Sequence, residues 1–365
     1  SCGSSSVNIE NRATVALYTY TPYRPNQAAL NAQYGTGDGC SAYGNRNFYM
    51  YFTDWFGSTT LNSNLLRTVD NATVYVVGDG YKYPISSMDI FGALSSALGG
   101  VGFVSQSYLD SYQTGQVANR LIRSPDGSIY FYDSAIKLPF TSCTLVADYG
   151  FPCGGAMQLT QPQIDKFVNG PLVTRGMNTT DGHSYYIESG VKREIFDEQS
   201  LLDEGRTTGF NVLSSQAFNY LPYGAPVVRG QVIVRARESG ERFLYDKGSL
   251  KTVANSDIAR QALSNISQRD LDSASVDKMT KSGERVGDLI KDDSNNVYLL
   301  TTEGKKTLSG YQADTAKAIT LSTSLVSSIP GSGNTSTPAL IKSLDNGTVY
   351  VLINGQKRPL VAMED

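Results

Sequence analysis

The stretch Thr73-Val-Tyr-Val-Val-Gly-Asp-Gly-Tyr-Lys-Tyr-Pro-Ile85 contains the pattern that decides the fold. A segment rich in β-branched and aromatic residues runs into Asp79-Gly80, and a second aromatic segment with Lys82 follows. Such segments favour strands. Asp and Gly tolerate positive φ and therefore favour a tight hairpin turn. The stretch predicts two antiparallel strands joined by a short turn.

The same pattern occurs six times along the chain. Its central aromatic residue is Tyr75, Tyr130, Tyr185, Phe243, Tyr298 and Tyr350, at intervals of 55, 55, 58, 55 and 52 residues. Seven residues later come Lys82, Lys137, Lys192, Leu250, Lys305 and Lys357, and the fourth copy has Lys251 one position further on. Agreement of several columns at one period indicates an internal repeat.

Each copy predicts the same order of elements. Three strands joined by turns rich in Asp, Asn and Gly are followed by a short helix, as over 87–94 in the first copy. A short apolar stretch then ends near a hydroxyl residue and predicts a fourth strand, at 103–105, 158–160, 212–214, 265–267 and 320–322. A second helical turn completes the unit.

The fold class that follows is mainly β with short helices. Up to four strands in each of six units predict a β-propeller, a ring that protects its sheet edges. An open β/α solenoid is the alternative. The units lie near 64–118, 119–171, 172–226, 227–284, 285–337 and 338–365, within a repeat domain at 61–365. The sixth unit stops after its third strand, so we expect either that the chain was cut or that residues 13–18 supply the missing strand.

Composition excludes several classes of protein. The net charge is −3 and charged residues make up 18% of the chain, with no basic stripe, so neither a nucleic acid nor a polybasic membrane contact is expected. No apolar run is long enough to insert into a membrane. His183 is the one histidine, which argues against Ser-His-Asp, Cys-His and multi-histidine metal chemistry. No catalytic residue is assigned.

Four cysteines predict two disulfides. Cys143 and Cys153 lie in one loop, and their short spacing suits a bridge that closes it. By elimination Cys2 pairs with Cys40, and four free thiols are the alternative. Two disulfides indicate an oxidising compartment, and therefore a secreted or cell-surface protein.

Residues 1–60 do not repeat and form an aromatic-rich N-terminal module with the chain's single tryptophan. The segments Ala16-Leu-Tyr-Thr-Tyr-Thr-Pro-Tyr-Arg-Pro-Asn26 and Tyr51-Phe-Thr-Asp-Trp-Phe-Gly57 resemble the part that follows the catalytic domain in exported actinobacterial cell-wall proteins. The Lys357-Arg-Pro-Leu360 type of repeat resembles hemagglutinin-like tandem repeats associated with peptidoglycan hydrolases. The resemblance implies an exported, envelope-associated chain, with room for a catalytic domain upstream in the same precursor. It assigns no catalytic residue to this chain.

Two sets of side chains are candidates for binding a cell-wall or surface polysaccharide. The first set combines rings that stack on sugars with groups that hold hydroxyls, namely Tyr18, Tyr20, Tyr23, Asp38, Asn45, Asp54 and Trp55. The second is a ring of ammonium groups for an anionic glycan, namely Lys82, Lys137, Lys192, Lys305 and Lys357. The alternatives are a small disulfide-pinned core for the first set and solvated strand positions for the second.

Three functions remain open at this point. The first is a non-catalytic extracellular module for binding or adhesion to glycan. The second is a polysaccharide-acting glycosidase or lyase, with Glu194 and Asp197 as first candidates because Pro84 and Pro139 occupy the Glu194 column elsewhere. The third is a structural surface or appendage protein. No cofactor is expected apart from calcium in the turn Asp292-Asp-Ser-Asn-Asn296, for which a plain hairpin is the alternative.

Overall fold

The computed structural model describes residues 63–309, 318–336, 340–342, 347–353 and 356–360. The N-terminal module, with the predicted Cys2–Cys40 bridge and the strand expected at 13–18, lies outside these residues. Two compact units divide the chain. Unit 1 comprises Ser1–Arg175, Thr179–Asp181 and Asn211–Tyr220, and unit 2 comprises Gly176–Asn178, Gly182–Phe210 and Leu221–Asp365.

The first two repeats consist of short strands with two short helices each, as predicted. Repeat 1 contains β1 (Leu65–Arg67), β2 (Tyr75–Gly78), β3 (Tyr81–Pro84), α1 (Met88–Leu98), β4 (Val101–Phe103), α2 (Gln106–Asp110) and β5 (Gln113–Thr114). Repeat 2 contains β6 (Leu121–Arg123), β7 (Ile129–Asp133), β8 (Ile136–Pro139), α3 (Cys143–Asp148), β9 (Met157–Gln158), α4 (Gln161–Ile164) and β10 (Val168–Asn169).

The middle repeats follow the same order. Repeat 3 contains β11 (Gly176–Thr179), β12 (Ser184–Glu188), β13 (Val191–Glu194), α5 (Glu198–Asp203), β14 (Phe210–Leu213) and a 3₁₀ helix (Ser215–Phe218). Repeat 4 contains β15 (Val232–Ala236), β16 (Arg242–Asp246), β17 (Ser249–Val253), α6 (Asp257–Ala262), β18 (Gln268–Leu271), α7 (Ser273–Val276) and β19 (Lys281–Val286).

The last two repeats complete the described residues. Repeat 5 contains β20 (Leu289–Lys291), β21 (Val297–Thr301), β22 (Gly304–Ser309), β23 (Ile319–Thr320), α8 (Thr323–Ser328) and β24 (Gly331–Ser336). Repeat 6 contains β25 (Leu340–Lys342), β26 (Val349–Ile353) and β27 (Gln356–Pro359).

Each repeat has its own sheet, built on an antiparallel meander of three strands. In repeat 1 the strand order is β4-β1-β2-β3-β5, where β4 adds parallel to β1 and β5 adds parallel to β3. Repeats 2, 4 and 5 have the same order of five strands. The fourth strand is therefore confirmed, whereas the fifth was not predicted. In repeats 1 and 2 the fifth strand is only two residues long, too short to show an alternating pattern.

The hairpin turn predicted from Asp79-Gly80 is confirmed. Both residues have positive φ, 47° and 80°, and Gly78 pairs with Tyr81 across a two-residue loop. This geometry matches the twist of the two strands. The turn therefore places Lys82 opposite Val77, one step into the third strand.

The fourth repeat departs from the pattern of the other repeats at two places, of which the sequence already showed the shifted lysine. Its fourth strand lies at Gln268–Leu271 rather than at 265–267, because Asp272, and not a hydroxyl residue, caps the helix that follows. Its lysine also leaves the column. Leu250 faces Tyr245 at the position where the other repeats have lysine, and Lys251 faces Leu244.

The hydrophobic cores lie between successive repeats. In unit 1, Val76 and Leu94 of repeat 1 pack in one cluster with Ile122 and Met157 of repeat 2. In unit 2, a second cluster joins repeats 4 and 5 in the same way, and a third joins repeats 3 and 4. These three clusters join neighbouring repeats, as expected for stacked units, whereas a smaller cluster around Leu66 and Leu109 lies within repeat 1.

Candidate functional site

A cleft of about 380 Å³ lies in unit 1 where repeats 1, 2 and 3 meet. This volume falls in the range of ligand-binding clefts. Its lining is Ser86, Ser87, Asp89 and Ile90 from the start of α1, Ala118, Asn119 and Arg120 before β6, Phe151 after α3, and Gln216, Asn219 and Tyr220 around the 3₁₀ helix. Polar and aromatic groups thus converge on one concave surface.

The start of α1 sets the position of Asp89. Ser87 is the N-cap, and its hydroxyl accepts a hydrogen bond from the Asp89 backbone N–H at 3.1 Å. The Asp89 carboxylate therefore lies in the first helical turn, where the helix dipole favours negative charge. Its Oδ2 accepts a hydrogen bond from Asn219 Nδ2 at 3.0 Å. One carboxylate and one amide are thus held together at the cleft.

Two aromatic rings also line the cleft. The rings of Phe151 and Tyr220 have centroids 4.8 Å apart and planes inclined by 34°. The Tyr220 hydroxyl donates to the Tyr149 carbonyl at 2.9 Å, and burial raises the pKa of this phenol well above its usual value. The hydroxyl is therefore anchored and neutral, while 39% of the Tyr220 side chain remains exposed.

The Cys143–Cys153 disulfide closes the loop that carries Phe151. The predicted bridge is therefore confirmed. The Phe151 N–H also donates to the Val146 carbonyl at 3.3 Å, so that the loop folds back on α3. The cross-link and this bond fix the position of the Phe151 backbone relative to the rest of repeat 2.

Arg120 lies beneath the cleft and binds other protein groups. Its side chain is 2% exposed, and Nη1 lies 3.3 Å from Asp133 Oδ1. Nη2 donates to the Asp89 carbonyl at 3.4 Å and to the Gln216 carbonyl at 3.2 Å. The guanidinium group therefore joins the three repeats that line the cleft.

Three lysines of the repeat column bind carbonyl oxygens inside their own repeats. Lys82 Nζ donates to Leu109 O at 2.8 Å, and Lys137 Nζ donates to Ile164 O at 3.0 Å and Phe167 O at 2.8 Å. Lys305 donates to Val326 O and to Ile329 O at 2.6 Å. These carbonyls end the second short helix of each repeat, where a cation is favourable.

The aromatic and lysine columns also contact each other. The ammonium groups lie 5.0–5.8 Å from the ring centroids of the aromatic residue seven positions earlier, in the pairs Lys82–Tyr75, Lys137–Tyr130, Lys192–Tyr185, Lys305–Tyr298 and Lys357–Tyr350. In repeat 4, which has Leu250 at this position, Lys281 of the adjacent strand lies 5.4 Å from the Phe243 ring instead. Cation–π attraction therefore explains why these two columns recur together.

These contacts differ from the exposed ammonium ring expected from the sequence. Lys82, Lys137 and Lys192 are only 8%, 5% and 8% exposed. Burial lowers the pKa of Lys137, Lys192 and Lys305 below the usual lysine value. Lys357 is exposed. The sequence showed the spacing of the lysines, but it did not show that the second short helix would bind Lys82, Lys137 and Lys305 through its carbonyl groups.

The other predicted candidates divide into two groups. Tyr18, Tyr20, Tyr23, Asp38, Asn45, Asp54 and Trp55 lie outside the described residues. Glu194 is 3% exposed, with Oε1 2.6 Å from Arg237 Nη2 and Oε2 2.6 Å from the Asp272 N–H. Asp197 caps α5 and lies 2.8 Å from Arg229 Nε. Both carboxylates thus hold structural contacts.

The turn proposed for calcium is closed by its own hydrogen bonds. Asp292 Oδ1 accepts from the N–H groups of Ser294 and Asn296, and Oδ2 accepts from Asn296 Nδ2 and the Tyr298 hydroxyl. Burial alone would raise the pKa of Asp292, but the bonds from Asn296 outweigh it, and the pKa lies below its usual value. Within the described ranges, no three His, Cys, Asp or Glu residues are grouped as metal ligands.

Sequence reasoning missed the residues that line the cleft. Asp89, Asn219 and Tyr220 lie outside the repeat columns, so no comparison of the copies singles them out. Phe151 had one available signal, because it lies inside the Cys143–Cys153 loop that only repeat 2 contains. A disulfide-closed loop that occurs in one repeat alone indicates that this repeat has a structural feature the other repeats lack.

Comparisons with known proteins leave the family of this chain open. No protein-family model matches it, and no curated protein does. A solved structure titled "Structure of the periplasmic assembly from the ESX-5 inner membrane complex, C1 model" covers 74% of this chain and 92% of its own, with 9% identity and a TM-score of 0.16. Another, titled "Structure of an intact ESX-5 inner membrane complex, Composite C3 model", covers 79% and 83%, with 9% identity and a TM-score of 0.15. At such scores neither match supports a conclusion about this chain.

The described helices are also too short or too polar to span a bilayer, so none of them is a candidate membrane segment.

Proposed function

We propose that the protein is a non-catalytic extracellular module that binds cell-wall or surface glycan, with the cleft of unit 1 as its site. The observation that carries this proposal is one cleft that combines the Phe151–Tyr220 ring pair with the Asp89 carboxylate and the Asn219 amide. Mainly apolar walls with a few placed polar groups are typical of ligand sites. A sugar ring presents apolar C–H groups to an aromatic face and hydroxyls to carboxylates and amides.

Binding is favoured over hydrolysis by the number of carboxylates at the cleft. Glycoside hydrolysis ordinarily uses two carboxyl groups that flank the scissile bond. Asp89 is the one carboxylate among the described residues that line the cleft. The pair first considered for catalysis, Glu194 and Asp197, is bound by Arg237 and Arg229.

A location outside the cytoplasm is part of the proposal. The Cys143–Cys153 disulfide supports it, because such bonds persist in oxidising compartments. The resemblance to exported cell-wall proteins adds an envelope context, in which this chain would hold an upstream catalytic domain of the same precursor on its polymer. The aromatic N-terminal residues would be a second contact with the same glycan, giving avidity.

We also propose that the six repeats close as a β-propeller. Support comes from six sheets that share an antiparallel meander of three strands, and from hydrophobic clusters shared by successive repeats. Small-angle X-ray scattering of the full chain tests the arrangement. A closed ring gives a compact, symmetric distance distribution, whereas an open solenoid gives an extended one and would contradict the propeller.

Retention of the full chain on polymers tests the function. Purified peptidoglycan and insoluble polysaccharides are incubated with the protein, and the bound fraction is measured alongside a glycan array. The proposal predicts saturable retention on at least one glycan. Lack of retention on every polymer and every arrayed glycan contradicts it.

A further inference from the structure

We infer that the cleft of unit 1 binds an uncharged sugar and discriminates against anionic polymers. This inference rests on the proposed glycan-binding function and specifies its ligand class. It reverses the expectation from the lysine column, which pointed to an anionic glycan. The reasons lie in the charges that line the cleft, in the hydrogen-bonding groups beside them, and in the Phe151–Tyr220 ring pair.

Arg120 is the one cation among the described residues that line the cleft, and other protein groups already offset its charge. Arg120 pairs with Asp133 at 3.3 Å, and its Nη2 donates to two backbone carbonyls. Asp133 is itself buried and accepts two further hydrogen bonds from Ser214. An incoming phosphate or carboxylate would have to displace these contacts to reach the guanidinium group. Breaking a buried pair in this way is unfavourable.

The remaining charge is negative. With Arg120 at +1 and with Asp89 and Asp133 at −1 each, the cleft and its base sum to −1. The other polar groups that line the cleft are neutral hydroxyls and amides of Ser86, Ser87, Asn119, Gln216 and Asn219. A half-buried carboxylate repels an anion more strongly than a fully solvated one. The electrostatic field therefore favours a neutral ligand over an anionic one.

The polar groups match a pair of sugar hydroxyls. Asp89 has two carboxylate oxygens with about four lone-pair sites, and the bond from Asn219 Nδ2 uses one of them. The Asn219 amide supplies a carbonyl oxygen and a second N–H in the same place. Two neighbouring hydroxyls on one sugar ring can donate to the carboxylate and accept from the amide. Hydrogen bonds to an ionised group are the stronger kind.

The ring pair completes the specificity. The anchored hydroxyl of Tyr220 holds the ring in one orientation, and Phe151 packs against that ring with the two centroids 4.8 Å apart. A rigid aromatic surface loses little conformational entropy on binding. The ligand class that fits is therefore a neutral oligosaccharide with one ring on Tyr220 and adjacent hydroxyls at Asp89 and Asn219.

Affinity measurements with neutral and anionic probes test the inference. The full chain is titrated with a neutral oligomer of β-1,4-linked N-acetylglucosamine, with a neutral β-glucan oligomer, with polygalacturonate fragments and with a polyglycerol phosphate. The same titrations use Asp89→Asn, Tyr220→Ala and Tyr220→Phe, the last of which keeps the ring and removes only its anchoring hydroxyl. Circular dichroism and melting temperature show whether each variant is folded.

At least one neutral oligomer should bind tenfold or more tightly than either anionic polymer. Asp89→Asn should weaken neutral binding about tenfold and reduce the difference in affinity between neutral and anionic probes, whereas Tyr220→Phe, which keeps the ring, should lose less affinity than Tyr220→Ala. Tighter binding of an anionic polymer, or neutral binding that Tyr220→Ala leaves unchanged, overturns the inference while glycan binding itself stands. Binding of no probe, together with no retention on any polymer, overturns the proposed function.

Discussion

The junction between repeats 2 and 3 in unit 1 and the junction between repeats 4 and 5 in unit 2 use the same contact. In unit 1, Asp133 accepts hydrogen bonds from Ser214 N at 2.7 Å and Ser214 Oγ at 2.8 Å. In unit 2, Asp246 accepts from Ser322 N at 2.8 Å and Ser322 Oγ at 2.7 Å. Each aspartate ends the aromatic strand of one repeat and binds the first residues of the second short helix in the next repeat.

The two junctions differ in one residue. Arg120, two residues before Ile122, pairs with Asp133, whereas the strand register places Val232, two residues before Val234, at the corresponding position of repeat 4. Arg120 also reaches the carbonyls of Asp89 and Gln216, and these contacts lie at the base of the cleft. The comparison teaches that the repeated residues build the frame and that departures from the repeat build the candidate site.

The largest expected effect is a difference in stability between variants of the two aspartates, Asp133 and Asp246. Asp133→Ala leaves the buried Arg120 guanidinium without its carboxylate and should lower the free energy of unfolding by about 3–5 kcal/mol. Asp246→Ala leaves the N–H and hydroxyl of Ser322 without an acceptor and should cost about 1–3 kcal/mol. Urea unfolding of both variants measures the difference. Equal losses would show that the arginine adds nothing to the first junction.

A smaller effect distinguishes buried lysines from exposed ones. Lys137→Met removes two charged hydrogen bonds to Ile164 O and Phe167 O and should destabilise the fold by about 1–3 kcal/mol. Lys357→Met changes an exposed side chain and should stay within about 0.5 kcal/mol. Thermal unfolding of the pair compares them directly. If Lys137→Met left the unfolding temperature unchanged, the buried lysines of the repeat would not contribute to the stability of the fold.

These lysines show where sequence reasoning succeeded and where it stopped. The hairpins, the helix after the third strand and the Cys143–Cys153 bridge could be predicted, because turn residues, periodicity and loop spacing act locally. The burial of Lys137 could not, because it depends on α4 closing over it from nearly 30 residues further along the chain. Tyr220 and Asp89 line one cleft only because three repeats pack together. A comparison of equivalent positions in the repeats does not reveal a contact between residues that are so far apart in the sequence.

The smallest expected effect is a loss of stability in acid. It depends on two carboxylates that arginines bind, Glu188 and Asp197. Burial alone would raise the pKa of Glu188, but its bonds to Arg193 and Arg206 outweigh burial, and its pKa lies below the ordinary 4.5. Asp197, bound by Ser200 and Arg229, lies below its ordinary 3.8 for the same reasons. The unfolded chain therefore binds more protons between the folded and unfolded pKa values. Their contribution is present above about pH 4.5 and is lost as the pH falls through the folded pKa values.

Melting temperature measured from pH 6 to pH 3 tests this effect. The natural chain should lose stability steadily below about pH 4.5. Glu188→Gln should show a shallower fall over the same range, because one of the protons taken up on unfolding is gone. A steeper fall for Glu188→Gln would contradict the account of these arginine-bound carboxylates.

The central claim is that the repeat columns form the frame while the cleft residues outside them bind glycan. The most direct test is calorimetric titration of one neutral oligosaccharide into the natural chain, Tyr220→Ala and Lys305→Met, well below each melting temperature. The account predicts at least a tenfold loss of affinity for Tyr220→Ala and an unchanged affinity for Lys305→Met, whose melting temperature alone should fall. Loss of affinity in Lys305→Met with full affinity in Tyr220→Ala would contradict it.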